Sequence, residues 1–246
     1  MKKLLSAITL VAVASTITPF SVQAAPLDGQ QQQQVRELVR STLVENPDIL
    51  VEAISELRKR ELQAQENAQK TSLEAKKDEL FNTPGDPFIG NPKGKVAMVY
   101  FADYNCGHCK RQDLILEQMV KQHPDLKIIY KELPVLGGAS REVAELVLAA
   151  HKNHPDVYQK LHQRLMSRPG RHDSTSIAAA FKAEGLDIET LKKKVDNNIK
   201  AKIDNNLRLA SELGIRGTPA TVFADEVLGG FTKADQLSEK IKSRLN

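Results

Sequence analysis

Cysteine is nearly absent from this chain: the 246 residues hold two, Cys106 and Cys109. No other sulfur is left to staple the fold. A structural zinc site takes four ligands, and no second CxxC or paired histidine spacing completes one here. A bridge between the two cysteines would close a very short loop and restrain little. An excess of one charge is also missing, with 35 Lys+Arg against 31 Asp+Glu. Residues 1–24 hold two lysines and no acid, so the rest carries 33 against 31, a net charge of +2. That balance gives no electrostatic case for nucleic acid or acidic lipid as a partner. Basic runs such as Lys192–Lys194 are mixed with acids and read as solvated helix faces. Beyond residue 24 no apolar run is long enough to cross a bilayer.

The long apolar run that does exist stands first. Lys2 and Lys3 precede the mostly apolar stretch Leu4–Phe20, and Val22-Gln23-Ala24 offers small residues for cleavage. This is the pattern of a secretory signal peptide covering residues 1–24. Cleavage after Ala25 would leave Pro26 first, so the cut is placed after Ala24. The competing reading is an uncleaved membrane anchor. An exported protein meets an oxidising compartment that permits disulfides. With two cysteines in all, the pair reads as a working dithiol and not as a staple.

Residues 25–80 differ in character from the remainder of the chain. Gln30–Gln34 reads as a disordered lead or the fraying first turn of a helix. Val35, Leu38, Val39, Thr42 and Leu43 keep helical spacing. Asn46-Pro47-Asp48 reads as a break and restart, with Asn46 as N-cap and Pro47 first in the new helix. Ile49, Leu50, Ala53, Ile54 and Leu57 make a second apolar stripe. Arg58–Glu79 is nearly all Lys, Glu, Gln and Ala, so it forms a polar helix with little to bury. Two short amphipathic helices cannot build a core alone. Their stripes need the rest of the chain or copies of themselves, and the polar spacer favours copies. No strict heptad persists, which argues against a long coiled coil. Thr83-Pro84-Gly85-Asp86-Pro87 gathers turn residues and marks the expected domain boundary.

Residues 88–246 are long enough for one domain with its own core. Val96–Ala102 is apolar, β-branched and aromatic, and reads as a buried strand. Cys106-Gly107-His108-Cys109 comes next, and then Lys110–Val120 with apolar residues at helical spacing. Leu126–Leu133 reads as the next strand, parallel to the first by a right-handed crossover. Residues 140 to about 212 are mainly helical, with signals at Tyr158–Met166, Ser176–Glu184 and Glu189–Leu213. Ala220–Ala224 and Glu226–Leu228 close the sheet, and Lys233–Leu245 is a last helix. Strand, loop, CxxC and helix place Cys106 where free N–H groups and a partial positive charge stabilise a thiolate. Cys109, one turn on, would resolve a mixed disulfide on Cys106. His108 between them would favour the thiolate by charge or hydrogen bonding. The other five histidines have no motif around them and read as surface or helix residues.

Phe101–Cys109, the helical block and Gly214-Ile215-Arg216-Gly217-Thr218-Pro219-Ala220 together resemble the DsbA-like thiol–disulfide oxidoreductases over residues 88–246. The resemblance implies an α/β thioredoxin fold with an inserted helical subdomain, preceded by an N-terminal helical oligomerisation segment. That segment looks like the one added in the Com1-like, DsbA2-like and ScsC-like isomerases. The resemblance also implies a cis bond before Pro219 in a loop facing the cysteines, with Thr218 and Pro219 offering backbone groups to substrate. The Thr218 hydroxyl beside the sulfurs leans towards isomerase or mixed activity. Glu132, at a strand end, reads either as a proton acceptor for Cys109 or as a solvated terminus; Asp103 reads as the latter. The expected protein is a periplasmic disulfide oxidoreductase and isomerase whose redox group is the Cys106–Cys109 disulfide, with no other cofactor and no metal. Its expected partners are exported cysteine-containing proteins, a DsbB-like or DsbD-like membrane partner and its own copies, as a dimer or trimer. The alternatives are a monomeric disulfide-donating oxidase and an envelope-surface interaction protein with a secondary redox site.

Overall fold

The computed structural model describes residues 26–245; the expected leader at 1–24 lies outside them. The chain divides into two compact units, the first ending at Lys59 and the second starting at Arg60.

The described part of the first unit is helical. Helix α1 (Gly29–Glu45) is capped by Asp28, which accepts from the Gln31 N–H at 2.8 Å while the Gln31 side chain accepts from the Asp28 N–H at 3.0 Å. This reciprocal box draws the glutamine run into the first turns of a helix. Asn46 does not cap the second helix as expected. It ends α1, where its Nδ2 donates to the Thr42 carbonyl at 3.0 Å, and α2 (Asp48–Ala75) starts beyond Pro47. Val35, Leu38, Val39 and Leu43 on α1 are exposed, as are Ile49, Leu50, Ile54 and Leu57 on α2.

The second unit takes in the end of α2, then α3 (Lys77–Phe81), β1 (Phe88–Gly90), β2 (Val96–Ala102), α4 (Gly107–Gln122) and β3 (Leu126–Glu132). Five helices come after β3: α5 (Gly138–Asn153), α6 (Pro155–Ser167), α7 (Ser174–Ala183), α8 (Ile188–Lys194) and α9 (Asn197–Glu212). β4 (Ala220–Val222), β5 (Val227–Gly229) and α10 (Ala234–Lys242) close the chain. The sheet order is β1-β3-β2-β4-β5. β2 and β3 are parallel, in register from Val96 against Leu126 to Ala102 against Glu132, and the other pairs are antiparallel. This is the thioredoxin sheet with a helical block between β3 and β4.

Two features add to the sequence reading. β1 is too short to show any periodicity; it lies antiparallel to β3 and turns away at Gly90 (φ 86°), where a Cβ would stand 2.3 Å from the Leu126 carbonyl oxygen. The helical signal over Glu189–Leu213 falls on two helices, because Asp196 accepts from the Ile199 N–H at 3.0 Å and starts α9 afresh.

Both faces of the sheet are covered. Met98, Tyr100, Ile128 and Tyr130 point into a core shared with Leu116, Val143, Leu161 and Phe181. The alternating residues Val99, Phe101 and Ile129 point the other way, onto Leu73, Leu80, Leu209 and Leu213. The polar stretch Arg58–Glu79 therefore buries more than its composition promised. Leu73 is 1% exposed, and Leu80 just beyond it is fully enclosed.

Candidate active site

β2 ends at Ala102, and three residues carry the chain to Cys106, just before α4. Asp103 builds that turn. Its carboxylate accepts from the Asn105 N–H at 2.8 Å and the Leu136 N–H at 3.0 Å, and its carbonyl accepts from the Cys106 N–H at 2.9 Å. Asp103 is thus buried, not the solvated terminus expected. The turn delivers Cys106 as the N-cap of α4, where its sulfur accepts from the Cys109 N–H at 3.4 Å. N-cap positions favour groups that accept from the free N–H groups of the first turn, and a thiolate does this well.

The two sulfurs, both free thiols, differ sharply. Cys106 is pulled from the ordinary 9.0 to about 5. The main cause is a hydrogen bond from the Cys109 side chain; the Thr218 side chain and the N–H groups of Cys109 and His108 add to it, while burial opposes them. Cys109, fully enclosed, is driven far upward by burial and by its bond to Cys106. At neutral pH the pair holds one thiolate and one thiol.

Thr218 reaches this site across 112 residues of chain; its carbonyl oxygen lies 3.3 Å from the Cys106 sulfur. The Thr218–Pro219 bond is cis. Beside it opens a groove of about 440 Å³ whose lining includes Arg216, Gly217, Thr218, Pro219 and Val227. His108 is exposed, and its Nδ1 accepts from Arg111 Nη2 at 2.9 Å. What His108 gives Cys106 is its main-chain N–H, among the leading causes of the lowered value.

Glu132 stands opposite Ala102 in the sheet and is buried. It accepts from Tyr104 Oη at 3.2 Å. Tyr104 Oη is also 2.8 Å from His162 Nδ1, His162 Nε2 is 3.0 Å from Asp113 Oδ1, and Tyr130 Oη donates to Asp113 at 3.2 Å. Burial pushes Glu132 up to about 8. Among the described residues no hydrogen bond joins it to either sulfur. Burial lowers the proton affinity of His162, but the facing Asp113 carboxylate more than restores it.

This network was not anticipated. Of the histidines read as surface or helix residues, His162 does lie on a helix, and it, His172 and His123 are buried. The signal for His162 was its place on α6 between Leu161 and Leu165, four residues after Tyr158, on a face that is otherwise apolar. Among the described residues no group of three or more His, Cys, Asp or Glu side chains could hold a metal ion.

The family described as DSBA-like thioredoxin domain matches residues 97–242, and that described as copper resistance protein ScsC N-terminal domain matches residues 31–69. A linker-deletion variant of ScsC from Proteus mirabilis is 38% identical, with a TM-score of 0.68, covering 91% of this chain and 99% of its own. A periplasmic thioredoxin-like protein from Salmonella enterica serovar Typhimurium is 37% identical (TM-score 0.64; 68% of this chain, 94% of its own). The thiol–disulfide exchange protein alpha-DsbA2 from Wolbachia pipientis is 30% identical (TM-score 0.67; 73% and 97%). No curated protein sequence matches the chain.

Proposed function

The chain belongs to the DsbA-like thioredoxin family of thiol–disulfide oxidoreductases, and from that footing we propose that it is an exported enzyme that forms and isomerises disulfides in envelope proteins. The observation that carries this reading is the asymmetry of the pair: Cys106 at about 5 on the N-cap of α4, and Cys109 enclosed and held protonated one turn on. A thiolate that is a good leaving group makes a disulfide easy to reduce, so the oxidised pair is a ready donor.

In donation, a substrate thiolate attacks the Cys106 sulfur, breaks the Cys106–Cys109 bond, and Cys109 leaves and takes up a proton. A second substrate thiolate then attacks the sulfur joined to Cys106, which leaves as thiolate; two electrons have passed to the pair and one disulfide to the substrate. In isomerisation, the Cys106 thiolate attacks a wrong disulfide, and another substrate thiol displaces it with no net electron transfer. Cys109 is the escape route from a stalled mixed disulfide. Thr218, Pro219 and the groove beside them are the proposed substrate-binding edge. Glu132 is proposed as a proton store beneath the loop that carries Cys106, acting through Tyr104.

The exposed apolar residues of α1 and α2 and the match to an ScsC N-terminal domain support self-association as a dimer or trimer. The periplasmic Salmonella relative supports the same compartment for this chain. A DsbB-like or DsbD-like membrane protein would reset the pair. Cys106→Ser is expected to abolish both reduction of insulin and refolding of scrambled ribonuclease, because the remaining thiol, Cys109, is enclosed and held protonated. Cys109→Ser is expected to accumulate mixed disulfides with substrate. Retention of both activities in the Cys106→Ser protein would defeat the assignment.

A further inference from the structure

Lys110 lies four residues beyond Cys106 on α4, so the two share one helix face. A lysine beside a reactive cysteine would ordinarily reach solvent, but this residue is only 9% exposed. Its Nζ donates to the Arg168 carbonyl at 2.6 Å and the Gly170 carbonyl at 2.7 Å, and lies 3.5 Å from His172 Nε2. Two of these partners are carbonyls, and the third is an imidazole whose proton affinity burial lowers. The ammonium is therefore solvated by neutral groups. Burial lowers its hold on the proton and Arg168 adds to that, while the anionic groups that favour the ammonium are Asp103 and Cys106.

The segment it grips, residues 168–172 between α6 and α7, is also tied to the chain on the other side of Cys106. The His172 N–H donates to Asn105 Oδ1 at 2.5 Å, and Asn105 Nδ2 donates to Ser140 Oγ at 3.0 Å. Arg171 Nη2 donates to the Leu136 carbonyl. The strap is thus fastened one residue before the attacking cysteine and four residues after it. The helical insertion holds the Lys110 ammonium on this strap, at a position one turn along α4 from Cys106.

We propose that Lys110 is a positioning residue of the redox pair: the 168–172 strap fixes its ammonium beside Cys106 as the standing counter-charge of the thiolate. This rests on the redox reading of Cys106 given above. When a substrate dithiol reduces the pair, one S–S bond breaks here and one forms in the substrate, and two electrons arrive. Cys109 keeps a proton and Cys106 a negative charge. The held cation stabilises that product and does nothing comparable for the neutral disulfide, so it makes the pair more oxidising. A solvated side chain would be screened, whereas a fixed and desolvated one is not.

The test uses the full mature protein with Lys110→Met, Lys110→Gln and Lys110→Arg. Gln keeps a donor for the strap but no charge, and Arg keeps the charge. Met and Gln are expected to raise the midpoint of the thiolate absorbance titration by roughly half to one pH unit. They are also expected to shift the equilibrium with glutathione roughly three- to tenfold towards the disulfide. Arg is expected to restore both. Folded Met and Gln variants with wild-type titration and equilibrium overturn the proposal. Trypsin cleavage after Arg171 in the wild type gives a reading that needs no variant. Oxidation removes the anion that faces Lys110, so the oxidised form is expected to be cut faster, and equal rates in the two forms count against the proposal. A wild type that neither titrates a thiolate nor exchanges with glutathione would instead sink the redox reading itself.

Discussion

A neighbouring thiol, a hydroxyl and two amide N–H groups lead the causes that take Cys106 from 9.0 to about 5. Thr218→Val removes the hydroxyl and keeps the shape, so the thiolate midpoint is expected to rise by roughly half a unit or more. His108→Ala keeps its main-chain N–H and is expected to move that midpoint less than Thr218→Val does; absorbance titrations of the two variants rank them. The shifts also set how stability depends on pH. Cys106 is depressed, so between about 5 and 9 the unfolded chain binds the extra proton and the reduced form gains stability as pH rises. Urea unfolding of the reduced and oxidised forms at pH 5, 7 and 9 should show a gap that moves in favour of the reduced form with pH. Glu132 has the opposite sign. Raised from 4.5 to about 8, it is a proton the folded state holds and the unfolded state has lost, so its contribution falls as pH rises through that window. In the oxidised form, where Cys106 does not titrate, Glu132→Gln should flatten the decline.

At the scale of elements, the end of α2 belongs with the sheet. Leu73→Ala and Leu80→Ala empty sites that are 1% and 0% exposed and are each expected to cost about 2–5 kcal/mol in urea unfolding. Leu38→Ala, at a site 66% exposed, is expected to leave the monomer's stability within about 0.5 kcal/mol. This contrast also marks what the sequence could tell. β2, α4 and β3 were legible because each carries a full run of its own period, and they place Cys106 on the N-cap without further information. The loop at Thr218-Pro219 was legible only through resemblance, since a dipeptide alone carries no long-range address. Leu73 was not, because one leucine among lysines and glutamates has no stripe around it. The Tyr104–His162–Asp113 network was not legible either, since its members come from three separate elements. Polar side chains that satisfy one another across a core leave no periodic trace. Asn105 and Lys110 each look, in the sequence, like a solvated neighbour of the motif.

For the molecule as a whole, the two units suggest where it can be divided. A chain starting near Arg60 keeps Leu73 and Leu80 and is expected to fold, to reduce insulin at close to the full rate, and to sediment as a monomer. The full mature chain is expected to sediment as a dimer or trimer and to refold scrambled ribonuclease faster than the shortened one. A monomeric full chain in analytical ultracentrifugation would rule out the self-association reading. A chain starting after residue 80 lacks both leucines and is expected to be destabilised for that reason alone, so poor activity there would say nothing about assembly. The long span between Cys106 and Thr218 has one more effect, on the order of events in the life of the chain. The cysteines are synthesised before residue 218, and until the sheet closes around β4 the sulfur lacks Thr218, one of the groups that hold it ionised. A nascent or misfolded copy in which that contact is missing therefore carries a less acidic thiol. It offers less thiolate to its unfinished neighbours, and full reactivity comes only in a copy that has completed its own folding.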